Sequence, residues 1–391
     1  MSDAPEVSVV LPCLNEAETL GTCIQKAQRC FAAHGLRGEV VVADNGSTDG
    51  SREIAEQLGA RVVPAHPRGY GAAVMAGLEA ARGDFVVIAD SDDSYDLGEV
   101  HKFIAALRGG AEFAMGTRYR RAGGRVEPGA MPFLHYWLGT PVLSALARVL
   151  FGARITDINS GMRGLRRDAV GRLNLRMTGM EVASEIVIKA ALLGLRTVEV
   201  PITLHRDGRS RRPHLRTWRD GWRHLRMMLL FSPRWLFGAP GLLLTVLGGL
   251  GLLLLAGGPK RLGGIGFDIN TMLVSSLVLA AGAQLLLLGV MARAFVAQEN
   301  LLPRQGARRE PPLIEWWLLA GLGFLLVGAY LVGTAVLGWA QGGFGQLAGA
   351  SRRVVFGAVL LAVGVQLGSA GFFLGLLGLS RTRSPPDHEG A

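Results

Sequence analysis

The spacing of hydrophobic residues changes along the chain and divides it into two parts. Up to about Arg234, short apolar runs alternate with stretches whose apolar residues recur every three or four positions. Beyond that point come four long apolar runs almost free of charge, at residues 236–257, 271–291, 316–337 and 354–379. A helix needs roughly 20 apolar residues to cross a bilayer core, and each run reaches that length. The pattern predicts an α/β domain followed by an all-α transmembrane domain of four helices.

Within the first part, strand-like and helix-like patterns alternate. Four apolar runs have the composition of buried strands: "VSVVL" from Val7, "EVVVA" from Glu39, "RVV" from Arg61 and "DFVVIAD" from Asp84. Helical spacing follows the first of them at Leu20, Ile24, Ala27 and Phe31. Such alternation is typical of a mostly parallel, Rossmann-like sheet that is covered on both faces. We expect that sheet here.

The charge of the chain limits the partners that it is expected to bind. The formal net charge is +10, and basic residues are dense at 206–234, directly before the first apolar run. A basic segment beside a membrane span suits anionic lipid, so we expect a lipid bilayer as a partner and no nucleic acid. Cys13, Cys23 and Cys30 have no metal-ligand spacing and are expected to be free thiols.

These patterns predict four consecutive parts. They are a soluble domain at 1–205, a basic loop with an interfacial helix at 206–235, a four-helix transmembrane domain at 236–380 and a cytoplasmic tail at 381–391. The first six residues lack the apolar core of a signal peptide, and the basic residues between the runs favour both termini inside. We therefore expect a multi-pass protein of the inner (cytoplasmic) membrane with its soluble domain in the cytoplasm. The alternative for the arginines of the predicted interfacial helix is a segment that only sets topology.

Clusters of polar residues follow three of the predicted strands. They are Pro12, Asn15 and Glu16 after the first strand, Asp44, Asn45 and Ser47 after the second, and Asp90 and Asp92 after the fourth. In open α/β sheets, ligands bind beyond the carboxyl ends of the strands. One cluster alone would equally suit a turn or a helix cap, but three at one edge of a sheet predict a binding site.

Asp90 and Asp92 have the spacing of two ligands for one hard cation. Alternate side chains of an extended segment point the same way, so both carboxylates can face one ion. Carboxylate oxygens suit Mg²⁺ or Mn²⁺, and Mg²⁺ commonly adds substrate phosphates to one or two carboxylates. A calcium loop that began at Asp90 would need Gly and Glu where Tyr95 and His101 stand. The pair predicts Mg²⁺ or Mn²⁺ held together with a phosphorylated ligand.

Four motifs follow one another along the chain and indicate a family. They are "VVLPCLNEAETL", "VVADNGSTDGS", "RGYGAAVMAGLEAARGDFVVIADSDDSYD" and "GTR". With them, the chain resembles the family 2 glycosyltransferases of the GT-A fold. More narrowly, it resembles the polyprenyl-phosphate sugar synthases, the dolichol-phosphate mannose synthase-like group, some of which carry C-terminal transmembrane helices. The resemblance runs from about Val7 to Arg226.

The resemblance implies roles for residues on the donor side of the site. The positions that line the nucleotide pocket in that family are those of Pro12, Asn15, Glu16, Asp44, Ser47 and Gly71. Asp90 and Asp92 match the pair that holds the metal and, through it, the diphosphate. Ser210 and Arg211 match the core of a mobile loop that closes over the diphosphate, and Arg209 is a further candidate for this clamp.

The resemblance also implies an acceptor side. The positions near the acceptor phosphate are those of Arg118, His135, Asp157, Ser160 and Arg163. Among them, Arg118 is expected to be a lone cation that meets the phosphate. Tyr136 stands where relatives of this group have Arg, and Ser94 stands where mannose-type members often have Gln. The third metal ligand therefore stays open, with Asp96 as a candidate, and His135 is a candidate replacement for the missing cation.

The function expected from these residues is a metal-dependent transfer of a sugar from a nucleotide-diphosphate sugar to a polyprenyl (undecaprenyl or dolichyl) phosphate. Such an acceptor is already an anion and needs no general base, whereas a sugar hydroxyl would need one. One alternative is a processive membrane polysaccharide synthase, but its Gln-x-x-Arg-Trp motif has Phe231 in the place of Gln. Another is a non-enzymatic lipid-linked sugar binding or transport protein. The sugar, the base and the existence of a homo-oligomer stay open.

Overall fold

A computed structural model of the chain describes residues 4–210, 217–303, 314–344 and 350–381. The chain divides into two compact units, and the main division lies between Met228 and Leu229. The first unit contains a seven-stranded sheet, and the second is built from long helices. Each unit is described by itself below.

The sheet of the first unit is mostly parallel, as predicted. Its strands in chain order are β1 (Val7–Cys13), β2 (Gly38–Asp44), β3 (Arg61–Pro64), β4 (Phe85–Ile88), β5 (Phe113–Thr117), β7 (Arg163–Arg166) and β8 (Thr197–Pro201). They lie in the order β3-β2-β1-β4-β7-β5-β8. A separate two-stranded ladder joins β6 (Arg125–Val126) to β9 (Thr203–Leu204). The four strands predicted from the sequence are the first four of the list.

The first unit also contains eight α-helices among the described residues. They are α1 (Leu20–Ala33), α2 (Ser51–Gln57), α3 (Tyr70–Ala80), α4 (Val100–Arg108), α5 (Thr140–Phe151), α6 (Arg167–Leu173), α7 (Val182–Leu192) and α8 (Thr217–Leu230). The predicted stripe of α1 is confirmed, since Leu20, Ile24, Ala27 and Phe31 are all buried. Strand β1 is buried along its whole length because both of its neighbours and both layers of helices cover it.

Strand β7 is the one member of the sheet that runs against its neighbours. It pairs antiparallel with β4 on one side and with β5 on the other. The resemblance placed Arg163 near the active site without predicting a strand there. Because β7 begins at Arg163, it brings that residue opposite Ile88, two positions before Asp90.

The second unit contains the four predicted transmembrane helices. The apolar helices long enough to cross a membrane are Arg234–Ala256, Ile269–Gln298, Ile314–Gln341 and Ser351–Leu377. They correspond to α9 (Ala239–Ala256, preceded by a π-helical turn), α10 (Ile269–Gln298), α11 (Ile314–Gln341) and α12 (Ser351–Arg381). A small hairpin of β10 (Lys260–Leu262) and β11 (Ile265–Phe267) joins the first two.

Glycines let the last two membrane helices approach closely. A Cβ atom on Gly321 would lie 2.9 Å from the carbonyl oxygen of Gly364, and one on Gly328 would lie 2.8 Å from that of Gly357. Packing of this kind is common between membrane helices, where small residues let two backbones meet. The expectation of a mostly parallel GT-A sheet followed by four transmembrane helices is confirmed.

Candidate active site

The carboxyl ends of β1 and β2 form one side of the site. The backbone NH of Asn15 donates to Oγ of Ser47 at 2.9 Å, and Oδ1 of Asn15 accepts from the NH of Thr48 at 2.8 Å. The carboxylate of Asp44 accepts from the NH groups of Gly46 and Ser47. These contacts bring the first two predicted clusters together.

A cavity of about 280 Å³ lies beside these loops. It is lined by Asn15, Glu16, Glu18, Thr48, Asp49 and Arg209. Two of the predicted nucleotide-pocket residues, Asn15 and Glu16, are therefore in its wall. Pro12 instead faces the loop that follows β4, because its carbonyl oxygen accepts a hydrogen bond from Oγ of Ser91 at 2.7 Å.

Ser91, the middle residue of the Asp-x-Asp segment, fastens that segment to β1. Besides the bond to Pro12, its own carbonyl oxygen accepts from Oγ1 of Thr19 at 2.6 Å. Both bonds are buried. An Ala at this position would keep the second bond and lose the first. The sequence alone did not reveal this role, because both partners lie more than 70 positions away in the chain.

Asp90 lies in a tight, buried setting. Its Oδ1 accepts a hydrogen bond from the hydroxyl of Tyr70 at 2.8 Å. On the other side, a Cβ on Gly161 would lie only 2.2 Å from Oδ2, so the glycine makes room for the carboxylate. Burial and the charge of Asp92 raise the pKa of Asp90 to about 6. A nearby cation would relieve both effects.

Asp92 is held by contacts on both of its oxygens. Its Oδ1 accepts from the NH and the hydroxyl of Ser94, at 3.0 Å and 2.5 Å. Its Oδ2 accepts from the guanidinium of Arg209 at 2.6 Å, and Arg209 also reaches Oε1 of Glu16 at 3.1 Å. Arg209 therefore links the Asp-x-Asp segment to the cavity wall.

Asp96 does not join this pair. Its Oδ1 accepts from the NH of Gly98 at 2.9 Å and caps the short 3-10 turn at Leu97–Glu99. Across the described ranges, no set of three close His, Cys, Asp or Glu ligands includes Asp90 or Asp92. The oxygens of Asp90 and Asp92 are ligands that suit Mg²⁺ or Mn²⁺, and the raised pKa of Asp90 is an effect that a cation would offset. Such an ion would take its remaining ligands from phosphate or water.

Gly71 lies at the start of α3, packed against another backbone segment. A Cβ there would lie 2.1 Å from the carbonyl oxygen of Met177. The segment that carries Met177 is held by Glu185, whose carboxylate accepts from the NH groups of Arg176 and Met177 and pairs with Lys189 at 2.8 Å. This buried ion pair thus supports the start of α3, where Tyr70 reaches Asp90.

The predicted diphosphate loop is described only in part. Ser210 donates from its NH and its hydroxyl to the carboxylate of Glu18, at 2.7 Å and 2.5 Å. Arg211 lies outside the described residues. Ser210 is therefore placed next to the cavity that Glu18 helps to line.

Arg118 and Asp157 form a buried salt bridge. Nε and Nη2 of Arg118 donate to the two oxygens of Asp157, each at 2.7 Å. Nη1 also donates to the hydroxyl of Tyr95 at 3.3 Å, and that oxygen accepts from the NH of Gly161 at 2.8 Å. The expectation that Arg118 is a lone cation is wrong, because Asp157 neutralises its charge in the same buried pocket.

The other predicted acceptor-side residues have different environments. Arg163 is buried and donates to the carbonyl oxygens of Ser160, Ile158 and Ala183, so it braces the loop before β7. Ser160 is fully buried. Burial, followed by the charge of Arg118, lowers the pKa of His135.

An exposed apolar segment begins beside His135. Phe133 and Trp137 leave 73% and 64% of their surface exposed, and Leu134 and Leu138 are exposed as well. The segment is tied to the end of β5, because the hydroxyl of Tyr119 donates to the carbonyl oxygen of Tyr136 at 2.8 Å and the two rings stack. Large exposed apolar patches of this kind mark contact with lipid or another apolar partner.

Known proteins resemble both parts of this chain. The family model described as Glycosyl transferase family 2 matches residues 8–173, and the one described as Glycosyltransferase family 2 C-terminal transmembrane region matches residues 290–378. The low-salt glycan biosynthesis hexosyltransferase Agl6 of Haloferax volcanii is 38% identical over 96% of this chain and 90% of its own length. The dolichyl-phosphate hexose transferase of the same organism is 34% identical over 50% of this chain and 82% of its own length.

Solved structures show a more distant likeness. A glucosyl-3-phosphoglycerate synthase from Mycobacterium tuberculosis has a TM-score of 0.46 and 24% identity over 58% of this chain and 79% of its own.

Proposed function

The chain belongs to glycosyl transferase family 2, and from that membership we propose that it transfers one sugar from a nucleotide-diphosphate sugar to a polyprenyl phosphate. It is a glycosyltransferase with membrane-spanning helices. The acceptor, the metal and the orientation in the membrane are the new parts of the proposal. The names of the relatives, a hexosyltransferase and a dolichyl-phosphate hexose transferase, support a hexose as the sugar and a lipid phosphate as the acceptor.

The donor would bind at the carboxyl ends of β1, β2 and β4. Asn15, Glu16 and Arg209 line the cavity beside those strands, and Asp44 ends β2 within the same loop system. Asp90 and Asp92 would hold Mg²⁺ or Mn²⁺. When bound, the ion would neutralise the diphosphate and stabilise the charge of the leaving nucleotide. Tyr70 and Ser94 orient the two carboxylates toward that task.

One observation supports polyprenyl phosphate as the acceptor. The exposed apolar segment with Phe133 and Trp137 is bonded through Tyr136 to Tyr119, the residue next to Arg118. A lipid phosphate has a charged head and an apolar tail, and here a buried Arg118–Asp157 pair lies close in the chain to an exposed apolar surface. The acceptor phosphate is already ionised, so the residues around it need only hold it in line with the sugar.

The four long helices would anchor the catalytic unit at the membrane. The arginines of the segment before the first span favour the cytoplasmic face, which in a bacterium is the inner membrane. Ionisable side chains are rare within the long apolar runs, which supports anchoring over transport of sugar through the helices.

A donor screen tests the proposal. The purified full-length protein in lipid nanodiscs would receive radiolabelled UDP-hexoses or GDP-mannose, undecaprenyl or dolichyl phosphate, and Mn²⁺ or Mg²⁺. We expect label from one donor in the organic phase, with one nucleoside diphosphate released per sugar. The matched control is Asp92→Asn, which keeps the size of the side chain and removes its charge.

Two results would contradict the proposal. Label in a water-soluble polymer would favour the processive synthase. The absence of transfer from every donor, with intact binding of lipid-linked sugar, would favour the binding or transport protein.

A further inference from the structure

Three metal-binding side chains meet on the surface of the first unit, between α1 and α4. They are Cys30 in α1, His34 directly after the last residue of α1, and His101 in α4. One donor atom of each lies within 4.8 Å of the other two. Cys30 and His34 are four positions apart, which places them on one face of the helix. None of these residues belongs to the sugar-transfer site described above.

A hydrogen bond of His101 leaves one of its nitrogens available to a metal. Nδ1 of His101 lies 2.8 Å from the carbonyl oxygen of Gly98, so this nitrogen carries the proton and leaves Nε2 with a free electron pair. Metal-binding histidines commonly donate their other NH to a backbone carbonyl in this way, which fixes the ring. The Cys30 thiol donates to the same carbonyl at 3.3 Å and lies 3.9 Å from Nδ1 of His101.

The two imidazoles already lie against each other. Their ring centroids are 4.0 Å apart and the planes differ by 16°. His34 is exposed, while Cys30 is buried. Zinc holds sulfur at about 2.3 Å and nitrogen at about 2.0 Å, so the stacked rings would have to turn apart before Sγ and the two Nε2 atoms could meet one ion.

We propose that Cys30, His34 and His101 form a site for a divalent transition metal of the zinc class, with a water molecule as the fourth ligand. Two imidazoles and one thiolate suit Zn²⁺ or Co²⁺ and do not suit Mg²⁺, which prefers oxygen. Asp90 and Asp92 offer only oxygen, so the two sites select different ions. Binding replaces the thiol proton of Cys30 with the metal, and the proton leaves to solvent.

The metal would join α1 to α4, and each of these helices follows a loop of the proposed sugar-transfer site. Helix α1 begins after the loop with Asn15 and Glu16, and α4 follows the loop with Asp90 and Asp92. An ion that binds only the folded protein stabilises it according to its concentration over its dissociation constant. The site would therefore stabilise the first unit without taking part in sugar transfer.

The spacing of the cysteines did not predict this site. The sequence offered Cys30 and His34 at a helical interval, but the third ligand is 71 positions further on than Cys30. Only the packing of α4 against α1 brings His101 into reach.

Cobalt titration of the full-length protein tests the site. Co²⁺ would be added to the reduced, detergent-solubilised protein in excess Mg²⁺, which competes for the carboxylate pair. We expect a thiolate-to-cobalt charge-transfer band that saturates at one ion per chain and is displaced by Zn²⁺. Cys30→Ser should remove the band, and His34→Ala or His101→Ala should weaken Co²⁺ binding about tenfold or more. The variants Cys23→Ala and His66→Ala are controls, and they should bind Co²⁺ as the unaltered protein does.

Thermal unfolding gives a second readout that does not depend on colour. Zn²⁺ should raise the melting temperature of the unaltered protein and leave that of His34→Ala unchanged. His34 is exposed, so its loss should not disturb folding, and this variant keeps the test decisive if Cys30→Ser folds poorly. No charge-transfer band, or a band of equal strength in both histidine variants, would show that the three residues form an interhelical contact only.

Discussion

The hydroxyl of Tyr70 donates a hydrogen bond to Oδ1 of Asp90 at 2.8 Å. Tyr70 begins α3, whereas Asp90 follows β4, so the bond ties a helix start to the proposed metal site. A donor beside a carboxylate stabilises its charged form and fixes its direction. Tyr70 is thus a positioning residue for Asp90.

Removing this hydroxyl should weaken metal binding. We predict that Tyr70→Phe lowers the affinity for Mn²⁺ about tenfold, because residues that orient metal ligands typically contribute that much. Calorimetry with Mn²⁺ and nucleoside diphosphate measures the change directly, without turnover. Tyr330→Phe, on an exposed position of α11, is the matched control. Unchanged Mn²⁺ affinity in Tyr70→Phe would show that Asp90 needs no help from the tyrosine.

Changing Arg118 should affect the acceptor more than the donor. Arg118→Lys keeps the positive charge but loses the two-point contact with Asp157, so we expect the KM for lipid phosphate to rise about tenfold. The dissociation constant of the nucleotide should stay within about twofold, because the donor cavity does not include this residue. Kinetics with the lipid phosphate measures the effect on the acceptor, and calorimetry with the nucleotide measures the effect on the donor.

The same substitution should also cost stability, since Asp157 is buried. A lysine cannot satisfy both carboxylate oxygens, and we expect a loss of about 1–3 kcal/mol in the free energy of unfolding. Arg166→Lys, in an exposed pair with Asp168, should show neither effect. Equal losses of nucleotide and lipid binding would assign Arg118 to the donor.

His224 should make the first unit sensitive to acid. It is buried on α8, and its Nδ1 is hydrogen bonded to Oγ of Ser184 at 2.7 Å. Burial lowers the pKa of His224 to about 4; the charge of Arg163 acts in the same direction, and Glu181 and Asp220 oppose it. The pKa of His224 in the folded protein lies below its value near 6.5 in the unfolded chain. Neutral His224 therefore contributes its full stability above pH 6.5, and this contribution is lost as the pH falls toward 4.

Replacing the imidazole tests this dependence. We predict that the unaltered protein loses about 1 kcal/mol of unfolding free energy between pH 7.5 and pH 5.5, and that His224→Asn loses less. Thermal melts at the two pH values measure it, with the exposed His66→Asn as the control. An equal pH dependence in His224→Asn would assign the acid sensitivity to other groups.

The exposed apolar segment should matter for long lipids only. We predict that Trp137→Ser raises the KM for a long-chain polyprenyl phosphate about tenfold or more, because burial of a large apolar side chain contributes about 1.5–3 kcal/mol and about 1.4 kcal/mol is a factor of ten. Transfer to a short, soluble prenyl phosphate should change little. Val198→Ser removes an exposed apolar side chain elsewhere on the unit and serves as the control. An equal effect on both acceptors would point to a damaged site and not to lost lipid contact.

The local patterns of the sequence were enough to predict four strands of the seven-stranded sheet and the membrane helices. Strands β1 to β4 and the stripe of α1 follow from alternation and helical spacing, which depend on neighbours in the chain. The four apolar runs are long enough to be assigned by length alone. The strand ends then placed Asp44, Asp90 and Asp92 at one edge, because parallel strands share a direction.

The contacts that hold the site could not be predicted in the same way. The bonds of Ser91 to Pro12, of Tyr70 to Asp90 and of Arg118 to Asp157 join residues that are distant in the chain. Nothing in a linear pattern shows which carboxylate a buried arginine will meet. For the same reason the sequence did not show that Asp96 caps a turn.

The most direct test of the account compares two acceptors that differ only in the phosphate. The full-length protein in nanodiscs would receive the active donor together with polyprenyl phosphate or the polyprenol of the same length, and the products would be identified by mass spectrometry. The account predicts polyprenyl phosphate carrying a single sugar, no product from polyprenol, and loss of the product in Asp92→Asn. A glycosylated polyprenol, or a lipid that carries a growing chain of sugars, would contradict it.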